Sequence, residues 1–228
     1  KKSKLIEGEL THFNNKNIEF PNYLDNKLSR LLGYIATEGH AYYNPRYRYA
    51  EIGVSNTDPF LISDVSNLFH KTFSTYTNLN VQTTNQRLKA TKDLMTARVC
   101  SIPLYKYFNS NFKGSINGAR NKYIENNLRT SKKDNQLEFL KSAFKGDGFI
   151  DSGRFGYSTS SFELAKGYQD LLLQNQILSR IDEEDREGIK YYKTTIVGTE
   201  GYGKFIQSIV EGDDKRLSRL NKFHEQSK

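Results

Sequence analysis

Two carboxylates, Glu38 and Asp147, occupy the eighth position of two similar nine-residue stretches, 31–39 and 140–148. Each stretch ends an apolar helical run, and each acid is followed by a glycine, a residue suited to the end of a helix. An acid in the last turn is disfavoured by about 0.3–1 kcal/mol, because the helix C-terminus carries partial negative charge. Two such acids would also repel each other unless a cation lay between them. Because Mg²⁺ is held by one or two carboxylates plus phosphate oxygens and water, the pair could form a metal site for phosphodiester hydrolysis.

Small residues at the third and seventh positions of both stretches indicate how the two acids come together. They are Gly33 and Thr37 in the first stretch and Ser142 and Gly146 in the second. Positions four residues apart share one face of a helix, and a face of small residues lets two helix backbones approach closely. We therefore predict that the two helices pack along this face and present their acids side by side.

The two stretches resemble the LAGLIDADG motif of homing endonucleases, in the form that carries two motifs in one chain. The motif residues that the first stretch keeps are Leu31, Gly33, Ile35 and Gly39, with Glu38 in place of the final aspartate. Those that the second stretch keeps are Leu140, Asp147 and Gly148. The second stretch departs from the motif at Ser142 and at Lys145, but neither departure touches the acid position.

The resemblance covers roughly residues 22–210 and implies an α+β fold of two pseudo-symmetric αββαββα half-domains, whose antiparallel sheets form a DNA-binding saddle. It implies a monomer that cleaves both strands of double-stranded DNA at a long, specific target site. Glu38 and Asp147 would lie beneath the scissile phosphates and bind Mg²⁺, for which Ca²⁺ or Mn²⁺ could substitute. Gly39 and Gly148, beside the acids, are included as candidate metal ligands.

The composition agrees with a polyanionic partner. The 228 residues include 34 Lys and Arg against 26 Asp and Glu, for a net charge of +8. Cys100 is the only cysteine, which excludes an internal disulfide and a cysteine-rich zinc site. No apolar run reaches membrane-spanning length and no signal peptide is visible, so we expect an intracellular protein, in the cytoplasm or in an organelle, without membrane contact.

The order of elements predicts four segments: an N-terminal arm (1–21), a first half-domain (22–116), a linker (117–135) and a second half-domain with a basic tail (136–228). Pro21 and Asn22 indicate the start of the first motif helix. Strands are expected over 79–86, 179–184 and 190–198, and the acidic run 182–187 is expected to be the solvated tip between the last two. We also expect Phe60 on the buried face of its helix.

Strands with one apolar and one polar face predict the surface that would meet DNA, because amide side chains can read adenine and arginine can read guanine. The first half-domain contributes the candidates Arg46, Arg48, Glu51, Asn80, Gln82, Gln86 and Arg98. The second contributes Arg154, Ser158, Arg180, Lys193 and Thr195. The family also uses a basic residue near each active site, for which Lys193 and Arg98 are the candidates by strand position.

Two alternatives stay open. A catalytically weak nucleic-acid-binding protein on the same fold, such as an intron RNA maturase or a DNA-binding regulator, would need neither acid, and the presence of both favours the enzyme. An intein-borne endonuclease is the other. The chain as written lacks a first Cys or Ser and a final His-Asn, so we do not expect it to splice itself.

Overall fold

A computed structural model describes residues 5, 18–83, 92–151, 153–210, 212–213 and 216–220. The elements of the first half are α1 (Asn26–Glu38), β1 (Gly39–Asn44), β2 (Tyr49–Asn56), α2 (Pro59–Phe73), β3 (Asn78–Gln82), β4 (Leu94–Cys100) and α3 (Ile102–Asn111). The connection contains α4 (Lys113–Ile116), a 3₁₀ turn (Ala119–Asn121) and α5 (Asn126–Arg129). The elements of the second half are α6 (Lys133–Asp147), β5 (Gly148–Asp151), β6 (Arg154–Thr159), α7 (Phe162–Gln174), β7 (Ser179–Arg186), β8 (Ile189–Ile196), α8 (Thr199–Phe205) and a π-helical turn (Ile206–Val210).

The two halves have the same topology. Each contains a four-stranded antiparallel sheet, with the order β1-β2-β4-β3 in the first half and β5-β6-β8-β7 in the second. One apolar core runs through both halves, and the helices cover one face of each sheet. The predicted α+β fold of two αββαββα half-domains is confirmed. The 117–135 stretch that we predicted as a linker contains the 3₁₀ turn, the short helix α5 and the first residues of α6.

The first motif helix starts later than predicted. Asp25, and not Pro21 or Asn22, is its N-cap, because the Asp25 carboxylate accepts a hydrogen bond of 2.9 Å from the backbone N–H of Leu28. From there Leu28, Leu31, Leu32 and Ile35 are buried at helical spacing. Burial of this stripe therefore directs the C-terminal end of α1 toward the junction of the two halves.

The glycines that follow the acids do not adopt the left-handed conformation that often ends a helix. Gly39 has φ −88° and Gly148 has φ −69°, which any residue can adopt. Instead, a Cβ at Gly39 would overlap the carbonyl oxygen of Ile35, and a Cβ at Gly148 would overlap that of Phe144. Glycine is required here because the chain turns directly from each helix into a strand.

The central contact of the structure is the predicted one between α1 and α6. In the described part of the chain, no two helices pack more extensively. A Cβ placed on Gly33 would overlap Ser142 Oγ and the Phe139 carbonyl oxygen, and one on Gly146 would overlap Thr37 Oγ1. Gly33 therefore faces Ser142 and Gly146 faces Thr37, which confirms the predicted interface.

Three other expectations need correction. Phe60 lies in the first turn of α2 and is 84% exposed. Most of the acidic run 182–187 lies within strand β7, which continues to Arg186, because cations of the sheet lie beside its acids. Strand β3 ends at Gln82, and the rest of the strand predicted over 79–86 lies partly outside the described residues.

We expect Gly33→Ala to lower the free energy of unfolding by about 1–3 kcal/mol, because even one methyl group forces α1 and α6 apart. The matched control is Gly203→Ala in α8, where a Cβ would meet no atom within 4 Å. That change should be neutral or stabilise the fold by up to about 1 kcal/mol through helix propensity. Urea unfolding of both variants measures the difference, and equal stabilities would contradict the close packing of α1 and α6.

Candidate active site

The two acids meet where α1 and α6 end. Glu38 is the last residue of α1 and Asp147 the last of α6, and both side chains are half-buried. A Cβ on Gly146 would lie 3.1 Å from Glu38 Cγ, so the Glu38 side chain packs against the residue before Asp147. The two acids therefore lie side by side at this shared helix end, as predicted.

The surroundings make both carboxyls harder to ionise. Burial, and next the charge of Glu38, raises the pKa of Asp147 to about 7, against the opposing effect of Lys122. Burial also raises the pKa of Glu38, opposed by a 2.9 Å hydrogen bond from Asn56 Nδ2 and by the charge of Lys122. Because the pKa of Asp147 is raised on folding from its ordinary value of 3.8 to about 7, the fold loses stability as pH rises across that interval. A bound cation would offset this loss.

Lys122, in the connection between the halves, supplies a positive charge that the sequence analysis missed. Its Nζ donates hydrogen bonds to the carbonyl oxygens of Ile35 (2.8 Å) and Gly39 (2.9 Å), and only 4% of the residue is exposed. Burial lowers its pKa to about 8, opposed by attraction to Asp147 and Glu38. Lys122 thus caps the C-terminus of α1 and partly compensates the acids.

The path of the connection explains why Lys122 reaches this position. Ser161, the N-cap of α7, donates a 2.6 Å hydrogen bond to the Lys122 carbonyl oxygen. Ile124 packs against Gly167 of α7, where a Cβ would lie 2.7 Å from Ile124 Cγ1. The only signal in this polar stretch of the sequence was the set of large apolar residues Tyr123, Ile124 and Leu128. That signal could predict a buried segment, but not where its lysine would point.

The residues present fit a divalent cation of the magnesium type. Within the described ranges, no group of three or more His, Cys, Asp or Glu side chains could hold a metal ion. Mg²⁺ needs only one or two carboxylates when phosphate and water complete its shell, and the half-buried acids lack a full counter-charge. The Gly39 carbonyl accepts from Lys122, and the Gly148 N–H donates to Phe144 O. The assignment of Gly39 and Gly148 as metal ligands stays a prediction.

The two predicted basic residues, Lys193 and Arg98, do not occupy equivalent positions. Ser158 lies opposite Lys193 in the second sheet, whereas its counterpart in the first, Ser55, lies opposite Thr96. Lys193 Nζ lies 2.7 Å from Glu184 and 5.5 Å from the centroid of the Phe149 ring. The first half therefore has a hydroxyl where the second has a lysine.

The first-sheet candidates lie on one polar surface. Ala50, Ile52 and Val54 are buried against the helices, so the alternate residues of β2 face away from them. By register, the candidates that share this outer face are Glu51, Arg98, Asn80 and Gln82. Glu51 Oε2 accepts from Arg98 at 3.3 Å and from Tyr49, while Glu51 Oε1 lies 3.8 Å from His40. Arg46 and Arg48 are exposed in the β1–β2 turn, and Gln86 lies outside the described residues.

The second-sheet candidates also share one face, but acids accompany them. By register they are Arg154, Ser158, Arg180, Lys193 and Thr195. Arg180 Nε lies 3.1 Å from Asp182 Oδ2, which also accepts a 3.3 Å hydrogen bond from Thr195. Arg154 lies 4.0 Å from Asp151. The candidate surfaces of the two halves thus differ in their free positive charge.

Comparison with known proteins supports the family resemblance. Residues 134–210 match the family model of the LAGLIDADG-like domain. The structure is similar to that of the homing endonuclease I-DmoI in complex with DNA and Mn, with a TM-score of 0.61 and 16% identity, over 82% of this chain and 97% of that chain. The chain has the LAGLIDADG fold. No curated protein matches it in sequence.

Other LAGLIDADG structures share the architecture. Full-length DUF199/WhiA from Thermatoga maritima matches with a TM-score of 0.54 and 15% identity, over 96% of this chain and 64% of that chain. The N-terminal LAGLIDADG domain of DUF199/WhiA matches with a TM-score of 0.52 and 14% identity, over 85% and 86%. At such identities the likeness establishes the fold, while the activity has to be argued from the site. Among the helices of the described residues, none could span a lipid bilayer.

Lys122→Met tests the electrostatic account of the site. Loss of a donor to two carbonyl oxygens should lower the free energy of unfolding by about 1–3 kcal/mol. Loss of its positive charge should raise the pKa of Asp147 above the wild-type value. Carboxyl-carbon NMR titration measures the pKa, and urea unfolding measures the stability. Lys113→Met, at an exposed residue of α4, is the control and should change neither quantity. An unchanged pKa in the Lys122 variant would contradict the assigned role.

Proposed function

We propose that this chain is a site-specific DNA endonuclease that needs a divalent metal and cuts both strands of its target. The observation that carries the proposal is the pair Glu38 and Asp147 at the shared end of two packed helices. The arrangement places two acids together at the end of α1 and α6, where they raise each other's energy, and the fold gains nothing from this. A catalytic metal site explains why two acids occupy this unfavourable position.

Each residue of the site has a role in this proposal. Glu38 and Asp147 would hold the cation, which supplies a Lewis acid for the phosphate and lowers the pKa of bound water. Asn56 fixes the Glu38 carboxylate through its 2.9 Å hydrogen bond. Lys122 offsets part of the negative charge and holds the end of α1 in place. Structures of I-DmoI with Mn, with Ca and in the presence of Mg support a divalent cation, and we propose Mg²⁺.

The outer faces of the two sheets would bind the target DNA. Asn80 and Gln82 carry amides that suit adenine, and Arg98, held by Glu51, carries a guanidinium that suits guanine. The second sheet adds a different set of side chains, so the two halves of the target would differ in sequence. Because both sheets belong to one chain, a monomer would bind one long, asymmetric duplex site.

A nucleic-acid-binding protein without cleavage activity, such as an intron RNA maturase or a DNA-binding regulator, is the second candidate function. The observation that favours it is the raised pKa of Asp147, because part of the protein then carries a protonated acid, a poor metal ligand, near neutral pH. Cleavage activity separates this candidate from the first.

Glu38→Gln and Asp147→Asn distinguish the two functions. Each variant keeps the shape of the side chain and removes the charge that binds metal. We expect the rate of double-strand cleavage to fall by at least about 100-fold, more than loss of an outer partner of a metal ligand usually costs. DNA affinity should be retained, because the proposed role of each acid is to bind metal and not to read a base. Supercoiled plasmid carrying a target selected from a random library is the substrate, and gel-shift titration measures the affinity.

The control for these variants is Glu163→Gln, which removes an acid from the exposed end of α7 beside Lys166. It should cleave at the wild-type rate. If either active-site variant cut both strands as fast as the wild type, the acid pair would not be the metal site. If the wild type bound the selected DNA and did not cut it with Mg²⁺ or Mn²⁺, the binding function would replace the enzyme.

A further inference from the structure

The register of β7 against β8 places a row of charged side chains on the surface that faces away from the helices. Thr194 donates a 3.1 Å hydrogen bond to the Ala165 carbonyl oxygen of α7, so it faces the helices. Its neighbour Lys193 therefore faces outward. Directly opposite residues of an antiparallel pair share a face, and Asp182 lies opposite Lys193. The outward side chains at alternate positions of β7 are Arg180, Asp182, Glu184 and Arg186.

Each cation in this row is paired with an acid of the same row. Lys193 Nζ lies 2.7 Å from Glu184 Oε2, and an Arg186 terminal nitrogen lies 2.9 Å from the same oxygen. Arg180 Nε lies 3.1 Å from Asp182 Oδ2. The hydrogen bonds from Arg186 and Lys193 lower the pKa of Glu184 to about 2, so this acid stays charged at neutral pH. The row carries three cations, but its own acids already bind them.

The first half has a different charge arrangement. Arg46 and Arg48 are exposed in the β1–β2 turn, and within the described ranges neither has an acid partner. On the outer face of the adjacent strands, Arg98 is paired with Glu51. Free guanidinium groups are therefore present in the β1–β2 turn of the first half, whereas the cations on the outer face of β7 and β8 are paired within the sheet.

We propose that Asp182 and Glu184 compete with DNA phosphates for the cations of the second sheet and thereby restrict its binding to target DNA. The inference rests on the proposed function as a DNA-binding enzyme. Exposed ion pairs are individually weak. When the target is bound and its bases are recognised, phosphate contacts of the same cations can therefore replace the pairs with Asp182 and Glu184. Binding of non-specific DNA also requires these ion pairs to break, but it gains only phosphate contacts in return. The acids of β7 would thus lower the affinity for non-specific DNA more than the affinity for the target.

The test is Glu184→Gln, which frees Lys193 and Arg186 without changing the size of the side chain. The probe is a random-sequence duplex, and its Kd is measured between about 50 and 200 mM KCl, the range in which phosphate contacts dominate the salt response. For each phosphate gained, the log–log slope should steepen by about 0.9 and the affinity at 0.1 M salt should rise about eightfold. Asp182→Asn, which frees Arg180 alone, should give a smaller change in the same direction.

Glu183→Gln is the matched control, since it makes the same charge change one residue away. Glu183 lies opposite Tyr192, whose ring contacts Phe162 of α7, and pairs with Lys190 at 2.7 Å on that side of the sheet. Its variant should bind the duplex nearly as the wild type does. Equal tightening by the Glu183 and Glu184 variants, or weaker binding by the Glu184 variant, would overturn the inference. A wild-type chain with no affinity for any duplex would overturn the proposed function itself.

Discussion

The structure depends on the close approach of α1 and α6. Gly33 lies against Ser142 and Gly146 against Thr37, and no larger residue fits where the glycines stand. This contact joins the two sheets into one body and also brings the two helix C-termini together. The acids Glu38 and Asp147 are neighbours only because of it. A protein that needed only a stable core would gain nothing from two carboxylates at adjacent negative helix ends. Burial raises the pKa of both acids, and the charge of Glu38 raises that of Asp147 further.

The connection between the halves completes this centre. Lys122 is buried, binds two carbonyl oxygens at the end of α1 and is held in turn by Ser161 of the second half. The segment that joins the half-domains is therefore also part of the site. Opposite charges are also paired on the second sheet. There the acids of β7 balance the cations that would otherwise be free to bind phosphate.

Much of this architecture could be predicted from the sequence because local patterns carry it. The spacing of small residues identified the face of α1 that meets α6, and the alternation in β2 identified its outer surface. What failed depended on contacts between distant segments. Strand β7 continues past Glu184, where the predicted strand ended, to Arg186, because cations such as Lys193 lie beside its acids. The sequence of the stretch does not show these partners. Lys122 lay in a polar stretch whose path is set by Ser161 and Gly167. Strand position alone also did not show that Thr96, and not Arg98, is the register counterpart of Lys193.

The central claim is that Glu38 and Asp147 form one metal site at the shared end of the two helices. The most direct measurement is the anomalous scattering of Mn²⁺ in crystals of the chain bound to a duplex selected from a random library. We expect a peak at about 2.1 Å from a carboxylate oxygen of each acid, close to the Mg²⁺–oxygen distance, with a phosphate of the duplex beside it. A peak that lies elsewhere, with both carboxylates turned away from the DNA, would contradict the claim.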